Sequence, residues 1–383
     1  MNFFANIKGD RVIWGIVVLL SAASMLAVYS SISTLAYKSG TGNQMSILFK
    51  HGITVFLGLV LMYYVHKLKF TYYSRIAQIA FWFSIPLLVL TLIVGTNLND
   101  ASRWLVVPGL GISFQTSDLA KVALIMYVAR ILSKKQDQIK DFKSAFLPTI
   151  APIIIICVLI LPANFSTAAL LFAVCFVLMY VGRVNIKYLG AMVGIGIVGI
   201  LLILLIGKFT PQLFPRFGTW VSRIENFSSG DSDGNYQANQ AKIAIATGGI
   251  TGKGPGNSTQ RNFLPHPYSD FVYAFIIEEY GMLGAFGILF LYMLLLFRTI
   301  KIVTKSENTF GGLLALGCGL LLVLQAFINM AVSVGLFPVT GQPLPLVSKG
   351  GTSILFTGIA IGIILSVSRA IEKEKQGGNV ATA

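Results

Sequence analysis

The sequence predicts an all-α polytopic membrane protein of about ten transmembrane helices, and three observations carry that expectation. The chain of 383 residues is 55% hydrophobic and only 11% charged, whereas soluble domains carry about 25% charged residues. Its mean hydropathy is +0.77. Apolar runs recur along its whole length, and many approach the roughly twenty residues that a helix needs to cross the hydrocarbon core. The net charge of +15 comes from basic residues placed singly between those runs. Membrane topology produces that pattern, so it calls for no nucleic-acid partner.

The apolar runs fall near 12–32, 47–66, 76–95, 117–133, 145–162, 165–182, 188–207, 270–297, 310–334 and 351–369. The first follows Asp10-Arg11 with no small-residue cleavage site, so it reads as a retained span rather than a signal peptide. The fourth is the least hydrophobic, with Asp118 and Lys121 near its start. The fifth and sixth are separated only by Pro162-Ala163-Asn164-Phe165, a helical hairpin. Basic residues orient the set. With the amino terminus inside, the inner loops receive Lys8, Arg11, Lys67, Lys69, Arg75, Arg130, Lys134, Lys135, Arg183, Lys187, Arg298 and Arg369. The short outer loops hold only Lys38, Lys50, Arg103 and Lys349. Both termini are therefore expected in the cytoplasm and the long 208–269 loop outside.

The chain reads as a single transmembrane domain. Its long outer loop contains Pro211, Pro215, Trp220, a polar Ser-Gly-Asp-Ser-Asp-Gly segment and a helix expected at Tyr236–Thr247, too short on its apolar side to span and so placed at the membrane surface. The tail 370–383 is charged, then Gly-rich, and reads as disordered. Cys157, Cys175 and Cys318 all lie inside apolar runs and read as small buried hydrophobes, without a disulfide or metal site. No internal repeat stands out, which weighs against an inverted-repeat transporter.

Chemistry concentrates between Gly252 and Gly281. Lys253, Arg261, His266 and Asp270 precede an apolar helix that carries Glu278 and Glu279, and titratable groups at the mouth of a membrane helix are costly to keep. Asp270 has an ordinary reading as a helix cap and a functional one as an intramembrane acid. Glu278 lies eight residues on, near the same helical face. Paired carboxylates there raise one another's pKa, share a cation, or pair with Lys121 or another buried cation. In the 99–104 loop, Arg103 suits bidentate phosphate contact and Trp104 suits lipid or sugar packing. The ordinary reading of that pair is an aromatic-belt Trp with a snorkelling Arg. Lys121 is a phosphate contact or a partner for Asp118 or Glu278. The 340–353 loop ends in Gly350-Gly351-Thr352-Ser353, whose backbone N–H groups suit an anion or simply start a helix. The glycines at 248–256 follow no strand and lack a Walker Lys-Ser/Thr, which weighs against a nucleotide loop.

Taken jointly and in order, these residues resemble the SEDS family (shape, elongation, division and sporulation). The motifs that carry the resemblance are Ser102-Arg103-Trp104, Gln115-x-Ser-Asp-x-Ala-Lys121, Gly254-x-Gly256-Asn257, Gln260-Arg261, Leu264-Pro265, Ser269-Asp270-Phe271 and Glu278-Glu279-x-Gly281. Pro338-x-Thr340-Gly341, Pro345-Leu346, Ser348 and Gly350-Gly351-Thr352-Ser353 complete it. The resemblance implies a ten-span peptidoglycan glycosyltransferase of the bacterial cytoplasmic membrane, leaning to the cell-division type, that polymerises lipid II at the outer face. It implies Asp270 as the essential aspartate. Arg103, Trp104, Lys121, Lys253, Asn257, Gln260, Arg261 and Ser353 become substrate contacts, and Glu278 and Glu279 metal ligands or supports. It also implies a class B penicillin-binding protein as partner, contacting the eighth and ninth spans, and admits a divalent cation, Mg or Mn, at the diphosphate. The alternatives are a lipid II flippase and a non-catalytic scaffold. The chain departs from the family pattern at His266, at Asp118, which stands for a usual glutamate, and at Lys349, which replaces a usual aromatic.

Overall fold

The computed structural model describes residues 8–30, 44–98, 101–106, 113–209, 217–229, 236–263 and 268–381. Lys38, Asn99, Asp100, Pro108, Gly109, Gly111, Pro211, Pro215, the 230–234 segment, Leu264, Pro265, His266 and Pro267 lie outside the described residues, as do the side chains of Arg103 and Trp220.

Among the described residues, each predicted apolar run falls mainly in a helix. In chain order these are α1 (Arg11–Ser30), α2 (Gln44–Lys67), α3 (Tyr73–Val94), α4 (Thr116–Lys134), α5 (Leu147–Ile160), α6 (Phe165–Val181) and α7 (Ile186–Phe209). After the long connection with α8 (Phe217–Ser229) and α9 (Tyr236–Gly248) come α10 (Val272–Lys305), α11 (Thr309–Ser333) and α12 (Thr352–Ala381). Seven helices are long and apolar enough to cross a membrane among the described residues: α1, α2, α3, α5 with the turn before it, α10, α11 and α12. α6 is shorter, and α4 is too polar for that set.

Three features depart from expectation. First, the 96–115 connection is an antiparallel sheet of three strands, β1 (Thr96–Leu98), β2 (Ala101–Val106) and β3 (Ser113–Gln115). Trp104 pairs with Gln115 and Leu105 with Phe114, so Arg103 and Trp104 sit on a strand rather than in a loop. The run Trp-Leu-Val has the bulk and β-branching that a pleated surface accepts, but it is too short to announce a strand by itself. Second, α9 buries Ala241 and Ala244 with Phe271, Ala274 and Val332, so its small-residue face packs on protein. Third, α12 runs on through the charged tail to Ala381. The Glu372 carboxylate accepts from Gly9 N–H at 2.8 Å, and alternating Glu and Lys favour helix over disorder.

The chain divides into two compact units. One comprises residues 1–67, 223–301 and 322–383 and holds α2, α12 and most of α10. Small residues let α2 and α12 approach. A Cβ on Gly358 would lie 2.4 Å from Gly58 O, and one on Gly362 would lie 2.8 Å from Met62 O. Gly358→Val is therefore expected to destabilise the purified protein by about 1–3 kcal/mol, read as a lowered Tm. Gly194→Val, with nothing within 4 Å of its Cβ, serves as the control.

The other unit comprises residues 68–222 and 302–321. α4 is its central helix, buried along most of its length, with Phe81 stacked on Tyr127 at 4.3 Å between ring centroids. Asp118 and Lys121 are buried in α4 and paired at 2.8 Å. Enclosure by protein accounts for the low hydropathy of this helix: a buried charge is tolerated once paired.

Candidate active site

The site is built around a break in α10. At Gly281 the backbone takes φ 66°, ψ −164°, a conformation open essentially to glycine alone. The helix is thereby split into 272–280 and 282–305. A break inside a membrane helix frees backbone groups that must find partners, and the loop after α9 supplies them. Lys253 N–H donates to Glu278 O and Gly254 N–H to Glu279 O, each at 2.9 Å. In return Met282 N–H donates to Gly249 O at 3.0 Å. The approach is tight: a Cβ on Gly248, Gly252 or Gly281 would stand 2.2 Å from the carbonyl oxygen of Ile277, Glu279 or Ile250, respectively.

Glu278 and Glu279 lie just before this break and are 0% and 1% exposed. Lys253 Nζ donates to Glu278 Oε1 at 2.7 Å, and Thr259 donates to it through both N–H and Oγ, at 3.0 and 2.9 Å. Ser258 Oγ donates to Oε2, and Gln260 N–H lies 3.3 Å from both oxygens. Glu278 thus folds the 253–260 loop around itself, and its cation is Lys253 rather than Lys121. Glu279 accepts from Ser30 Oγ and feels the charge of Arg261. Arg261 Nη1 donates to Ser30 O at 2.8 Å and to Gly256 O at 2.9 Å. Among the described residues no group of three or more His, Cys, Asp and Glu side chains gathers, and both Glu278 oxygens are engaged. Glu279 Oε2, by contrast, is buried and carries no hydrogen bond among the described residues. Glu278 anchors the 253–260 loop through these contacts.

Those contacts revise the basic loop as well. Lys253 and Arg261, expected to hold an anionic substrate, are committed to internal partners. Asn257 donates from Nδ2 to Lys253 O at 3.1 Å and reinforces the same loop. Gln260 Oε1 is buried and carries no hydrogen bond. Ser353 is buried in the first turn of α12, its carbonyl accepting from Thr357 Oγ at 2.9 Å.

Asp270 stands at the other end of the short half-helix. Residues 271–279 are buried without interruption, whereas Asp270 itself is partly exposed. Ser269 Oγ donates to Asp270 Oδ1 at 2.9 Å. Its backbone is held from two sides: Asn329 Nδ2 of α11 donates to Asp270 O at 2.8 Å and to Gln342 O at 2.7 Å. Ser348 Oγ donates to Ser269 O at 2.6 Å, and Lys349 N–H donates to Tyr268 O at 2.9 Å. The 340–349 loop therefore lies against the chain leading to Asp270, and Gly341 leaves a Cβ-sized gap 3.7 Å from Oδ2.

Sequence reasoning missed two members of this neighbourhood. One is Asn329, an amide that shares an apolar helix with Gln325. The other is Arg223 of α8, whose Nη1 donates to Val339 O at 2.9 Å. Burial lowers the Arg223 pKa, and the charge of Asp270 opposes that. The available signal was the presence of an arginine on the amphipathic α8.

The model of the cell cycle protein family that comprises FtsW, RodA and SpoVE matches residues 10–373. A protein of Geobacter sp. (strain M18), named probable peptidoglycan glycosyltransferase FtsW, is 31% identical over 364 residues, covering 94% of this chain and 96% of that protein. One of the same name from Haemophilus influenzae is 32% identical over 365 residues, covering 94% and 90%. Among solved structures, a chain from work on the structural coordination of polymerization and crosslinking by a peptidoglycan synthase complex matches with a TM-score of 0.74. It is 25% identical, with 95% of this chain and 98% of that one covered. The rod shape determining protein RodA of Thermus thermophilus matches in fold, with a TM-score of 0.67, 23% identity and coverage of 94% and 97%.

Proposed function

Because this chain belongs to the FtsW, RodA and SpoVE family of cell cycle proteins, we propose that it is a multi-pass peptidoglycan glycosyltransferase of the bacterial cytoplasmic membrane. Lipid II is the donor, the growing glycan strand is the acceptor, and the chemistry takes place at the outer face with ten helices spanning the bilayer. The observation that carries the reading is Asp270: a partly exposed carboxylate at the mouth of a half-helix buried through residue 279, with its backbone pinned by Asn329.

The reaction inverts the donor sugar. The acceptor hydroxyl attacks C1 opposite the diphosphate, the new C1–O bond forms as the old one breaks, and the bonding electrons leave with undecaprenyl diphosphate. Asp270 accepts the hydroxyl proton as general base. The leaving diphosphate takes no proton but develops charge, which fixed cations stabilise. Arg223, on which the charge of Asp270 acts, is assigned to that role, while Lys253 and Arg261 hold the loop that shapes the site. Trp104 is assigned to sugar packing. A divalent cation, magnesium or manganese, enters only with the diphosphate.

Arg223→Gln is expected to lower polymerisation by about 10²-fold, the usual cost of deleting one charge-stabilising donor, with Arg223→Lys recovering part of the loss.

A purified full-length preparation incubated with fluorescent lipid II tests the assignment by gel separation of glycan chains. Polymer formation supports the enzyme. Leaflet transfer without polymer would replace it with a flippase, and absence of both would leave a scaffold. A class B penicillin-binding protein is assigned as partner. The exposed stripe Met282, Phe286, Phe290, Met293 and Phe297 on α10 supplies an apolar face for its transmembrane helix, next to α11.

A further inference from the structure

The 340–349 loop does more than lie beside Asp270. Gln342, Leu344, Leu346, Val347 and Ser348 are buried, and a buried loop has to find partners for its backbone polar groups. It supplies few of its own. Pro343 and Pro345 have no N–H to give, and the internal bonds centre on Leu344. Its carbonyl accepts from Val347 N–H at 3.2 Å and Ser348 N–H at 2.9 Å, while its N–H donates to Ser348 Oγ at 2.8 Å. Leu346 takes φ 63°, a left-handed conformation that a bulky residue keeps only where its surroundings over-determine it.

Those surroundings are buried side chains of three helices, which take alternate carbonyls of the loop. Gln325 Nε2 of α11 donates to Pro343 O at 2.8 Å, Tyr292 Oη of α10 donates to Pro345 O, and Ser24 Oγ of α1 donates to Val347 O at 2.9 Å. Ser24 Oγ also shares a 2.9 Å hydrogen bond with His51 Nε2 of α2. Because the Ser24 proton is spent on Val347, His51 is the donor there. Polar side chains in apolar membrane helices are costly to keep, and here they are spent on the shape of one loop. The same loop meets the chain before Asp270 through Ser348 Oγ and Lys349 N–H, and Asn329 joins Gln342 O to Asp270 O. At the carboxylate itself, Ser269 Oγ takes Oδ1, and the Cβ-sized gap at Gly341 adjoins Oδ2.

We propose that Gln325, Tyr292 and Ser24 are positioning residues for the general base: by clamping the carbonyls of Pro343, Pro345 and Val347 they set Gly341 and Ser348 against Asp270 and fix Oδ2 relative to the acceptor hydroxyl. This rests on the glycosyltransferase assignment, with Asp270 taking the proton. The three side chains act on the reaction only through the loop. Releasing one carbonyl lets the strained turn at Leu346 relax, Gly341 and Ser348 move with it, and the carboxylate turns away from the hydroxyl. A misplacement of about 1 Å costs up to about 10²-fold in rate.

The test measures lipid II polymerisation by the full-length protein, with rates expressed per folded molecule. Tyr292→Phe deletes one hydroxyl and keeps the ring. It is expected to lower kcat about tenfold while KM for lipid II stays unchanged, inside the range that misplacement of a reacting group allows. Gln325→Leu and Ser24→Ala should behave alike, so the result does not hang on one variant folding. Gly358→Val, destabilised where α12 meets α2 rather than at the loop, should keep its kcat. Wild-type kcat in the three clamp variants, a loss confined to KM, or an equal loss of kcat in Gly358→Val would overturn the positioning role. A double-mutant cycle ties the effect to the base: in an Asp270→Asn background Tyr292→Phe should cost nothing further, because groups that act as a unit are not additive. An undiminished tenfold cost in that background would overturn the proposal and leave Asp270 standing as the base. Full polymerisation by Asp270→Asn alone would remove the base itself and the clamp's role with it, a failure visible before any clamp variant is measured.

Discussion

Asp270→Asn is expected to lower kcat for lipid II polymerisation by about 10²–10⁴-fold, the usual contribution of a positioned general base. The substitution keeps size and shape. An amide oxygen still accepts from Ser269 Oγ, and the backbone carbonyl still receives Asn329, so Tm should stay near wild type. What disappears is the capacity to hold a proton. Asp270→Glu retains that capacity on a longer arm beside the gap at Gly341, and should give intermediate rates because a misplaced base loses near-attack geometry. The decisive comparison is single-turnover polymer formation in the three proteins at matched folded concentration. Wild-type rates from the Asn variant would move the proton transfer to another group.

The second large effect is structural. Gly281→Ala places a methyl where Ile250 O stands 2.2 Å away, in a backbone conformation that alone costs about 1–3 kcal/mol for a non-glycine residue. Gly252→Ala meets Glu279 O at the same distance and should be as damaging. Either change forces the loop off α10, which unpairs the carbonyls of Glu278 and Glu279 and strips the Glu278 carboxylate of its donors. Stability should fall by more than about 3 kcal/mol, with loss of monodisperse protein on size exclusion. Gly287→Ala, where nothing lies within 4 Å, should be neutral or slightly stabilising, as helical Gly-to-Ala changes are. Equal Tm values for the three variants would show that the loop is not the partner of the break.

The helices were legible because lipid-soluble segments announce themselves by composition, and the Gly252–Gly281 segment was legible because acids at a membrane helix mouth are rare. The fine wiring was not. Gly281 looks in sequence like Gly284 and Gly287, and only its positive φ and the distant carbonyl of Ile250 distinguish it. Lys253 and Arg261 read as ligands for an anion because a basic loop next to an acid invites that reading. Burial of Glu278 changes the outcome: an enclosed carboxylate must be paired, and the nearest ammonium is taken. Arg223 and Asn329 reach the segment around Asp270 from other helices, a relation no local pattern encodes. The strand carrying Trp104 is stabilised by Phe114 and Gln115 across the sheet, and pairing of that kind has no signature in so short a run.

The buried Asp118–Lys121 pair of α4 has a consequence for biogenesis. On translocon scales each such charge costs about 2.5–3.5 kcal/mol at the centre of an isolated helix and less toward its ends, and α4 lacks the apolar length to offset that penalty comfortably. It is therefore a poor client for one-by-one release into lipid as it leaves the ribosome. Its entry should wait for α3 and the α5–α6 hairpin, with the carboxylate and ammonium already joined. Truncations ending just after Lys134 should leave this segment unintegrated, and extension past Val181 should rescue it.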